Sequence, residues 1–354
     1  MSEKRIMVGF SGGVDSAVTA LLLRDQGYVV RCAMMSVRGE SGQGCGAAGD
    51  VEAAGRVADK LGLPFRVFDC SRAYREAVLE NFRREYLAGR TPNPCVVCNP
   101  RVKFTVLPAL AREAGWEFDR IATGHYARIE RIGGQAALLR GMDRSKDQSY
   151  FLYRLPREVL ERVMFPLGTM EKRVVREIAR EHGLEVFDKP DSQDFYHGDY
   201  AEVLGCGEAE GEIVTLAGEV VGKHSGYWRF TPGQRRGLRV AHAEALYVLR
   251  LEPATNRVVV GSRKEGLGVG CVVTETVFAD PGAPASLVGK DLMGRLRSAQ
   301  PLRAMTVARF ENGELEVRFA EPVQGVAPGQ SLVLYDGERV VGGGMIQRAI
   351  LGTF

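Results

Sequence analysis

The sequence predicts a parallel, doubly wound α/β domain, followed by a small β-rich domain and a C-terminal β-barrel. Over the first two hundred residues, short apolar strand-like runs alternate with helical segments, which is typical of β-α-β units. From about residue 205 the pattern changes to short β-rich runs separated by turns. We therefore expect three domains, at residues 1–204, 205–270 and 271–354.

The α/β prediction depends on strands and helices that follow one another in strict alternation. Runs of Val, Ile, Phe and Met are predicted as strands, and the longer segments between them have helical periodicity. Gly27 and Gly62 stand where two of the helices end, as glycines commonly do. The predicted strands are 6–10, 28–35, 65–68 and 120–123, and the predicted helices are 14–26, 50–61, 102–114 and 171–183.

The β-rich half is marked by turn residues between short apolar runs. Asn312-Gly313 and Asp336-Gly337 each separate two such runs, and both dipeptides are strong signals for a β-hairpin turn. A Pro- and Gly-rich stretch at 280–284 is predicted as a loop or linker. The predicted strands are 212–215, 219–221, 246–251, 257–260, 306–310, 315–319, 331–335 and 339–341.

Composition and charge exclude several classes of protein. The chain has 354 residues, of which 45% are hydrophobic and 26% are charged, so it is not a wholly disordered protein. The net charge of +3 excludes a polycation but is compatible with a local basic face. No apolar run approaches the roughly 18 residues of a spanning helix, and no signal-peptide pattern is present. We expect a cytoplasmic protein with reduced thiols.

A glycine-rich loop (residues 9–16) between the first strand and the first helix is the strongest local motif. Its glycines allow backbone N–H groups to face an anion, and its serines add hydroxyl donors. It matches neither a Walker A loop nor a G-x-G-x-x-G motif, and a simple capped turn is the alternative. The residues of the predicted phosphate site are Gly9, Phe10, Ser11, Gly12, Gly13, Val14, Asp15 and Ser16.

Asp15 has a further predicted role, and two more residues are assigned to the same edge of the predicted sheet. Asp15 is a candidate ligand for Mg²⁺, because a carboxylate beside phosphates requires a cation, although an acidic residue also favours a helix N-terminus. Met35 and Gly124 follow other strands at the carboxyl edge, where open α/β sheets bind nucleotides. We predict that both contact the nucleotide.

The second strong motif is a C-x-x-C pair formed by Cys95 and Cys98. Prolines and asparagines around it predict a rigid, non-helical loop. Nearby basic residues favour the reactive thiolate form. The pair is compatible with dithiol chemistry, half of a zinc site or part of an iron–sulfur site. No second C-x-x-C occurs in the sequence, so a Cys₄ zinc ribbon is excluded.

Motifs along nearly the whole chain resemble those of the tRNA-specific 2-thiouridylases, which belong to the PP-loop ATP pyrophosphatase superfamily. The resemblance implies a PP-loop domain of the adenine nucleotide alpha-hydrolase-like type, a connecting domain and a β-barrel. It also implies ATP-dependent 2-thiolation of the wobble uridine (U34) of tRNA through adenylation of the uridine O2. The motifs lie at 9–16, 91–99, 103–104, 122–128, 146–152, 189–193, 231–238 and 342–346.

The resemblance implies roles for individual residues. Cys98 matches the first catalytic cysteine of the family, and the segment Asn93, Pro94 and Cys95 matches residues that contact the target base. Solvated polar loops are the alternative interpretation of the tRNA-contact positions. Those positions are Lys146, Asp147, Gln148, His125, Arg297 and Ser298, and Arg295, Arg303 and Arg309 are expected to follow the RNA backbone with Arg297.

One position departs from the family pattern. Tyr196 stands where the family has the cysteine that carries a persulfide, and a phenol cannot carry sulfane sulfur. Cys206 is therefore considered as the second thiol, or Cys95, Cys98 and Cys206 as ligands of a [4Fe–4S] cluster. Chemistry that involves the cluster or the Cys95/Cys98 dithiol is ranked slightly ahead of Cys206 acting alone. The third account is a paralogue that adenylates but passes sulfur differently or acts on another substrate. A non-catalytic RNA-binding paralogue is a separate alternative.

The remaining cysteines and the partners complete the expectations. Cys32 and Cys271 are predicted in the core, Cys70 at a strand end and Cys45 as a bystander in a Gly-rich loop. The implied cofactors are ATP and Mg²⁺. The implied partners are a tRNA with a wobble uridine and a sulfur-donor protein or sulfide, with no membrane association. We expect a monomer or weak dimer.

Overall fold

The structure is a computed structural model that describes residues 4–37, 48–188, 200–280 and 282–352. It divides into two compact units. The first contains Met1–Glu80, Pro94–Gly198 and Glu338–Val340, and the second contains Asn81–Asn93, Asp199–Gly337 and Val341–Phe354. Among the described residues, no helix combines the length and apolar character needed to cross a membrane. The three domain boundaries predicted from the sequence stay predictions.

The first unit is built on a five-stranded parallel sheet in the order β3-β2-β1-β4-β7. Strand β1 lies at the centre, and its Ile6, Met7 and Val8 are fully buried. The doubly wound α/β prediction is confirmed, and all four predicted strands are present. The strands of this unit are β1 (Arg5–Gly9), β2 (Val29–Ser36), β3 (Phe65–Asp69), β4 (Arg120–Thr123), β5 (Ala127–Ile132), β6 (Gln135–Arg140) and β7 (Val163–Met164).

Helices cover the parallel sheet and contribute to a common core with it. Val18 and Leu21 of α1 and Val175 and Ala179 of α9 are buried in this core. The helices up to residue 181 are α1 (Val14–Asp25), α2 (Ala48–Leu61), α3 (Ser71–Tyr74), α4 (Glu80–Leu87), α5 (Pro94–Cys98), α6 (Leu107–Glu113), α7 (Ser149–Leu152), α8 (Arg157–Leu160) and α9 (Lys172–Glu181). Shorter segments are π-helical at Arg75–Leu79 and Asn99–Val106, and 3₁₀-helical at Pro166–Thr169 and Glu185–Asp188.

The C-x-x-C pair lies on a helix, so the predicted non-helical loop is wrong at this point. Helix α5, the π-helical Asn99–Val106 and α6 follow one another without a break. Pro94 is the first residue of α5, a position where proline is tolerated because its missing N–H has no partner there. Pro100 lacks the N–H of an interior position, and the π-helical widening begins beside it.

The second unit contains a four-stranded sheet and a closed six-stranded barrel. The sheet has the order β10-β11-β8-β9, and the pairing of β12 with β17 closes the barrel. Asn312 and Gly313 both have positive φ, as the predicted hairpin turn requires. The elements are α10 (Tyr200–Leu204), β8 (Gly211–Thr215), β9 (Val220–His224), β10 (Tyr247–Glu252), β11 (Arg257–Gly261), β12 (Leu267–Phe278), α11 (Ala283–Leu287), β13 (Asp291–Arg295), β14 (Arg303–Glu311), β15 (Glu314–Gln324), β16 (Ser331–Asp336) and β17 (Arg339–Leu351), with 3₁₀ turns at Tyr227–Arg229 and Pro253–Thr255.

The segment that precedes the cysteines is anchored within the second unit. The backbone N–H of Thr91 donates to the carbonyl of Pro328, and Gln330 Nε2 donates to the carbonyl of Thr91 at 2.7 Å. The hydroxyl of Tyr227 donates to the carbonyl of Leu87 at 2.8 Å. The predicted first domain, residues 1–204, includes this segment, and local periodicity carries no information on which core a short segment joins.

Substitution at Gly12 should destabilise the first unit, because its backbone is left-handed and it packs closely against α2. It has φ +71°, and an added Cβ would lie 2.7 Å from Cα and Cβ of Ala54 on α2. We expect Gly12→Ala to reduce the free energy of unfolding by about 1–3 kcal/mol more than Gly62→Ala does. Gly62 is a matched control, because its φ is +65° but its Cβ would meet nothing within 4 Å. Urea denaturation measures both, and equal losses would contradict the steric argument.

Candidate active site

The glycine-rich loop lies at the carboxyl edge of β1 and is held by its own serines. Ser16 Oγ donates to the carbonyl of Gly13 at 3.0 Å and accepts from the backbone N–H of Ser11 at 3.2 Å. The first intrahelical bond of α1 runs from Ala17 N–H to the Gly13 carbonyl, so the helix itself does not use the preceding amides of this first turn. This is the geometry of an anion site at a helix N-terminus.

Asp15 in that first turn is the centre of an ionic cluster. Lys172 Nζ lies 2.7 Å from both carboxylate oxygens of Asp15, and the Tyr126 hydroxyl donates to Oδ1 at 2.8 Å. The ammonium also lies 5.6 Å from the centre of the Tyr126 ring. Lys172 is only 7% exposed, so its charge is held mainly by groups of the chain rather than by water.

Sequence reasoning missed Lys172 altogether. It lies in the first turn of α9, a helix whose sequence is rich in exposed charges, and nothing in the pattern separates this lysine from its neighbours. A spacing of 157 residues separates it from Asp15. The only available signal is the apolar residue periodicity of α9, which places position 172 beside the buried Val175 and Ala179.

The predicted nucleotide residues are brought together only in part. Gly124 is needed by the chain itself, because an added Cβ would lie 2.8 Å from the backbone carbon of Asp15. Phe10 is buried against Phe65 with ring centres 6.0 Å apart, and Met35 is half-buried at the carboxyl end of β2. Contacts from Met35 and Gly124 to a nucleotide stay predictions.

The segment predicted to contact tRNA contains two residues that stabilise the chain internally. Asp147 is 7% exposed, and its Oδ1 accepts from the backbone N–H of Gly141 at 3.0 Å and of Ser149 at 3.1 Å. Gln148 accepts from the backbone N–H of Tyr126 at 3.0 Å through Oε1. A base contact by Asp147 therefore requires the loop to open, whereas Lys146 lines a surface groove.

Asp143 ties this same loop to α9. Its Oδ2 accepts from the backbone N–H of Lys172 at 3.0 Å, and its Oδ1 accepts from the backbone N–H and the hydroxyl of Ser145. Burial raises the pKa of this carboxyl, but these hydrogen bonds outweigh burial and hold the pKa below its ordinary value. The carboxylate form therefore fastens the loop at neutral pH.

His125 lies in an aromatic cluster. Its ring centre is 6.0 Å from that of Phe104 and 5.8 Å from that of Phe165, and Nδ1 lies 2.7 Å from Thr123 Oγ1. Burial and the neighbouring charge of Lys103 lower the pKa of His125 well below its ordinary value. The neutral imidazole acts here as a packed ring, and a contact with tRNA stays a prediction.

The described cysteines separate into buried and accessible thiols. Cys32, Cys70 and Cys271 are buried, and burial raises the pKa of Cys32 to about 12 and that of Cys70 to about 11. Cys95 is exposed and Cys98 is partly exposed on α5, at positions i and i+3 of one helical face. Cys45 and Tyr196 lie outside the described residues.

The iron–sulfur cluster stays a prediction. Across residues 4–37, 48–188, 200–280 and 282–352, no group of three or more His, Cys, Asp or Glu side chains is arranged to hold a metal ion. Cys206 belongs to the second unit, where its thiol lies 3.6 Å from the carbonyl oxygen of Leu204. Helix α5 by itself supplies two thiolates, so a cluster with the usual number of protein ligands would need further donors.

The barrel arginines predicted to follow RNA have different environments in the second unit. Arg295 is 5% exposed and stacks 5.8 Å from the ring of Tyr335, so it is part of the packing. Arg297 donates to the Pro232 carbonyl at 2.8 Å, and Ser298 is half-buried. Arg303 is exposed, and Arg309 is exposed but paired with Glu311.

Known domain families match the chain in three consecutive segments. A tRNA methyl transferase HUP domain matches residues 4–197. A tRNA methyl transferase PRC-barrel domain matches residues 204–262, and an aminomethyltransferase beta-barrel domain matches residues 284–346. The order of these three families agrees with the predicted succession of an α/β domain, a β-rich domain and a barrel.

Curated relatives match over the whole length. The tRNA-specific 2-thiouridylase MnmA of Geobacter metallireducens is 43% identical, with 99% of this chain and 98% of the relative covered. The proteins of the same name from Endomicrobium trichonymphae and Rhizorhabdus wittichii are 40% and 44% identical. The alignments cover 98% and 99% of this chain and 99% and 93% of those relatives, respectively.

The coupling energy between Asp15 and Lys172 can be measured by a double-mutant cycle. We expect Asp15→Asn to reduce the free energy of unfolding by about 3–5 kcal/mol, because it removes a carboxylate from a buried ammonium. The double variant with Lys172→Met should recover part of this loss, with a coupling energy of about 1–3 kcal/mol. The exposed Arg72–Glu76 pair is the matched control and should couple by less than about 0.5 kcal/mol. Similar coupling in both pairs would contradict the burial argument.

Asp143 should make stability depend on pH in a defined direction. Its pKa in the folded chain lies below the ordinary value of 3.8, so its stabilising effect is present above pH ~4 and is lost as the pH falls through the folded pKa. We expect Asp143→Asn to be less stable than the parent at pH 7, with the difference shrinking below pH ~4. Asp336→Asn, at the exposed end of β16, is the control in denaturant titrations across this range. A difference that does not change with pH would exclude the carboxylate as its source.

Proposed function

The chain belongs to the family of tRNA-specific 2-thiouridylases, and we propose that it transfers sulfur to C2 of the wobble uridine of a tRNA at the expense of ATP. One observation carries the proposal furthest. Helix α5 presents Cys95 and Cys98 one turn apart, in the same compact unit that contains the anion-binding loop 9–16. A tRNA sulfurtransferase needs both an accessible thiol and a site for ATP.

The loop supports the first half of the reaction. In the proposed step, O2 of the uridine attacks the α-phosphate of ATP, pyrophosphate leaves and an adenylated base is formed. The amides at the start of α1 would bind the phosphates, and Asp15 with Ser11 and Ser16 supplies oxygen donors of the kind that Mg²⁺ prefers. Mg²⁺ would neutralise phosphate charge in this step. Lys172 orients the Asp15 carboxylate.

The two thiols of α5 support the second half. The terminal sulfur of a persulfide on Cys98 attacks C2 of the adenylated uridine, and AMP leaves with the former O2. The Cys95 thiolate then attacks Sγ of Cys98, which breaks the sulfur–sulfur bond and releases 2-thiouridine. A Cys95–Cys98 disulfide remains, and a thiol reductant restores the pair. A persulfide-bearing donor protein supplies the sulfane sulfur, whereas free sulfide would require another route.

Helix geometry favours the Cys95–Cys98 dithiol over Cys206 as the source of the second thiol. Positions i and i+3 are neighbours on a helix surface, and C-x-x-C motifs at helix starts form disulfides in this arrangement. The two cysteines are accessible, unlike the buried Cys32, Cys70 and Cys271. The Asn99 side chain donates to the Phe151 carbonyl at 3.0 Å and fixes the end of α5.

Replacing each thiol separates the two half-reactions. We expect Cys98→Ala to lower tRNA thiolation by more than about a thousandfold while RNA-dependent release of pyrophosphate from ATP continues. Cys95→Ala should permit one sulfur transfer to C2 but block release, leaving tRNA covalently attached through a bond that dithiothreitol breaks. Mass spectrometry of tRNA nucleosides and non-reducing gels provide the measurements.

Cys206→Ala and Cys45→Ala are the control variants, and both should thiolate tRNA like the parent. Loss of thiolation in Cys206→Ala would indicate that Cys206, rather than Cys95, supplies the second thiol. Thiolation by Cys98→Ala at the parent rate would contradict the role proposed for Cys98. Iron bound in anaerobically purified protein, with activity that depends on it, would favour the cluster account.

A further inference from the structure

Helix α9 forms one wall of a basic groove on the first unit. The groove has a volume of about 450 Å³, and five cationic side chains line it. Two carboxylates, those of Glu177 and Asp188, also line it. The ring of Phe187 adds an apolar surface at one end. The cationic residues are Lys146, Lys172, Arg173, Arg176 and Arg180.

The spacing on α9 places its basic residues on one side of the helix. Positions 172, 173, 176 and 180 fall within about 100° of one another at 3.6 residues per turn. The line from 172 to 180 is about 12 Å long at 1.5 Å per residue. Val175 and Ala179, on an adjoining face, are buried in the core, so the basic face is held rigidly toward the groove.

A second element completes the groove. Lys146 comes from the loop between β6 and α7, and this loop is fastened by Asp147 through backbone amides on both sides. Asp143 of the same loop accepts from the backbone N–H of Lys172 at 3.0 Å. Specific hydrogen bonds therefore hold cations from two separate elements, α9 and the loop between β6 and α7, along one groove.

The charges favour a polyanion over a single carboxylate ligand. Arg173 is paired with Glu177 at 2.8 Å and Lys172 with Asp15 at 2.7 Å, and the five cations of the groove outnumber these two carboxylates and Asp188 together. The planar guanidinium groups of arginine suit phosphate oxygens, and a lysine adds a compact charge. A row of cations about 12 Å long is longer than pyrophosphate requires, and it matches a chain of phosphates better.

The groove begins beside the loop 9–16. Lys172 lines the groove and also lies 2.7 Å from the Asp15 carboxylate in the first turn of α1. We propose that the α9 groove binds backbone phosphates of the RNA substrate that flank the target nucleotide. This proposal rests on the proposed function, because it takes the substrate to be an RNA whose target base reaches the nucleotide loop.

The test compares two double variants that remove equal charge. Arg173→Gln/Arg180→Gln changes the groove, whereas Arg112→Gln/Arg120→Gln removes two exposed arginines near the amino edge of the sheet. The probe is a fluorescent unmodified tRNA transcript with a wobble uridine, measured by anisotropy over a range of salt concentrations. Binding of a non-hydrolysable ATP analogue and of inorganic pyrophosphate is measured in parallel.

We expect the groove variant to bind tRNA about tenfold more weakly at low salt, with the slope of log affinity against log salt reduced by about 1–2. Its affinity for the ATP analogue and for pyrophosphate should match the parent, and the amino-edge variant should match the parent in every assay. Equal effects of the two variants on tRNA binding would overturn the proposal. A selective loss of pyrophosphate binding would assign the groove to the nucleotide instead.

The outcome for the groove is distinguishable from that for the proposed function. tRNA binding is measured without sulfur transfer, so a groove-dependent salt slope supports the phosphate site even in a chain that forms no 2-thiouridine. If the parent thiolates tRNA and the groove variant binds tRNA as tightly as the parent, the proposal for the groove is wrong. The sulfurtransferase proposal is then unaffected. Melting temperatures of both double variants control for misfolding.

Discussion

The contact of the Asp15 carboxylate with Lys172 and Tyr126 is the interaction on which the site depends. It joins the first turn of α1 to the segment after β4 and to the start of α9. Tyr126 in that segment is 111 residues from Asp15 in sequence, and Lys172 of α9 is 157 residues from it. A buried ammonium loses hydration that only well-placed anionic and polar groups replace. The position of α9 relative to the glycine-rich loop is therefore specified by charge as well as by apolar packing.

The same cluster extends to the loop that carries Lys146. Tyr126 exchanges backbone hydrogen bonds with Gln148, through its N–H to Oε1 and through its carbonyl to the Gln148 N–H. Asp143 connects this loop to α9, because its carboxylate accepts from the backbone N–H of Lys172. The anion site at α1 and the basic groove at α9 are thus parts of one hydrogen-bonded framework. A change at Asp15 is expected to affect both, because Lys172 contacts the Asp15 carboxylate and also lines the groove.

The sequence was sufficient for features encoded by neighbouring residues. Strand β4 was predicted at its observed bounds, and the Asn312-Gly313 turn was recognised because the dipeptide itself favours positive φ. It was insufficient where long-range packing decides. Lys172 looked like any exposed helical lysine, and Asp147 like a solvated loop acid, although both are buried. Prolines around Cys95 predicted a loop, yet proline at the first position of a helix also begins one.

The position of Cys95 and Cys98 on α5 bears on where a second thiol could come from, since position 196 is a tyrosine. A relay between thiols on distant segments needs a cysteine on each segment and a movement that brings the segments together. Tyr196 cannot serve as one of these thiols. Two cysteines at i and i+3 of one helix need no such movement, since the helix fixes their separation. The π-helical turn that follows α5 and the Asn99 hydrogen bond to Phe151 hold this helix end in place. We therefore propose that this C-x-x-C helix supplies both the nucleophilic and the resolving thiol, without a cysteine at position 196.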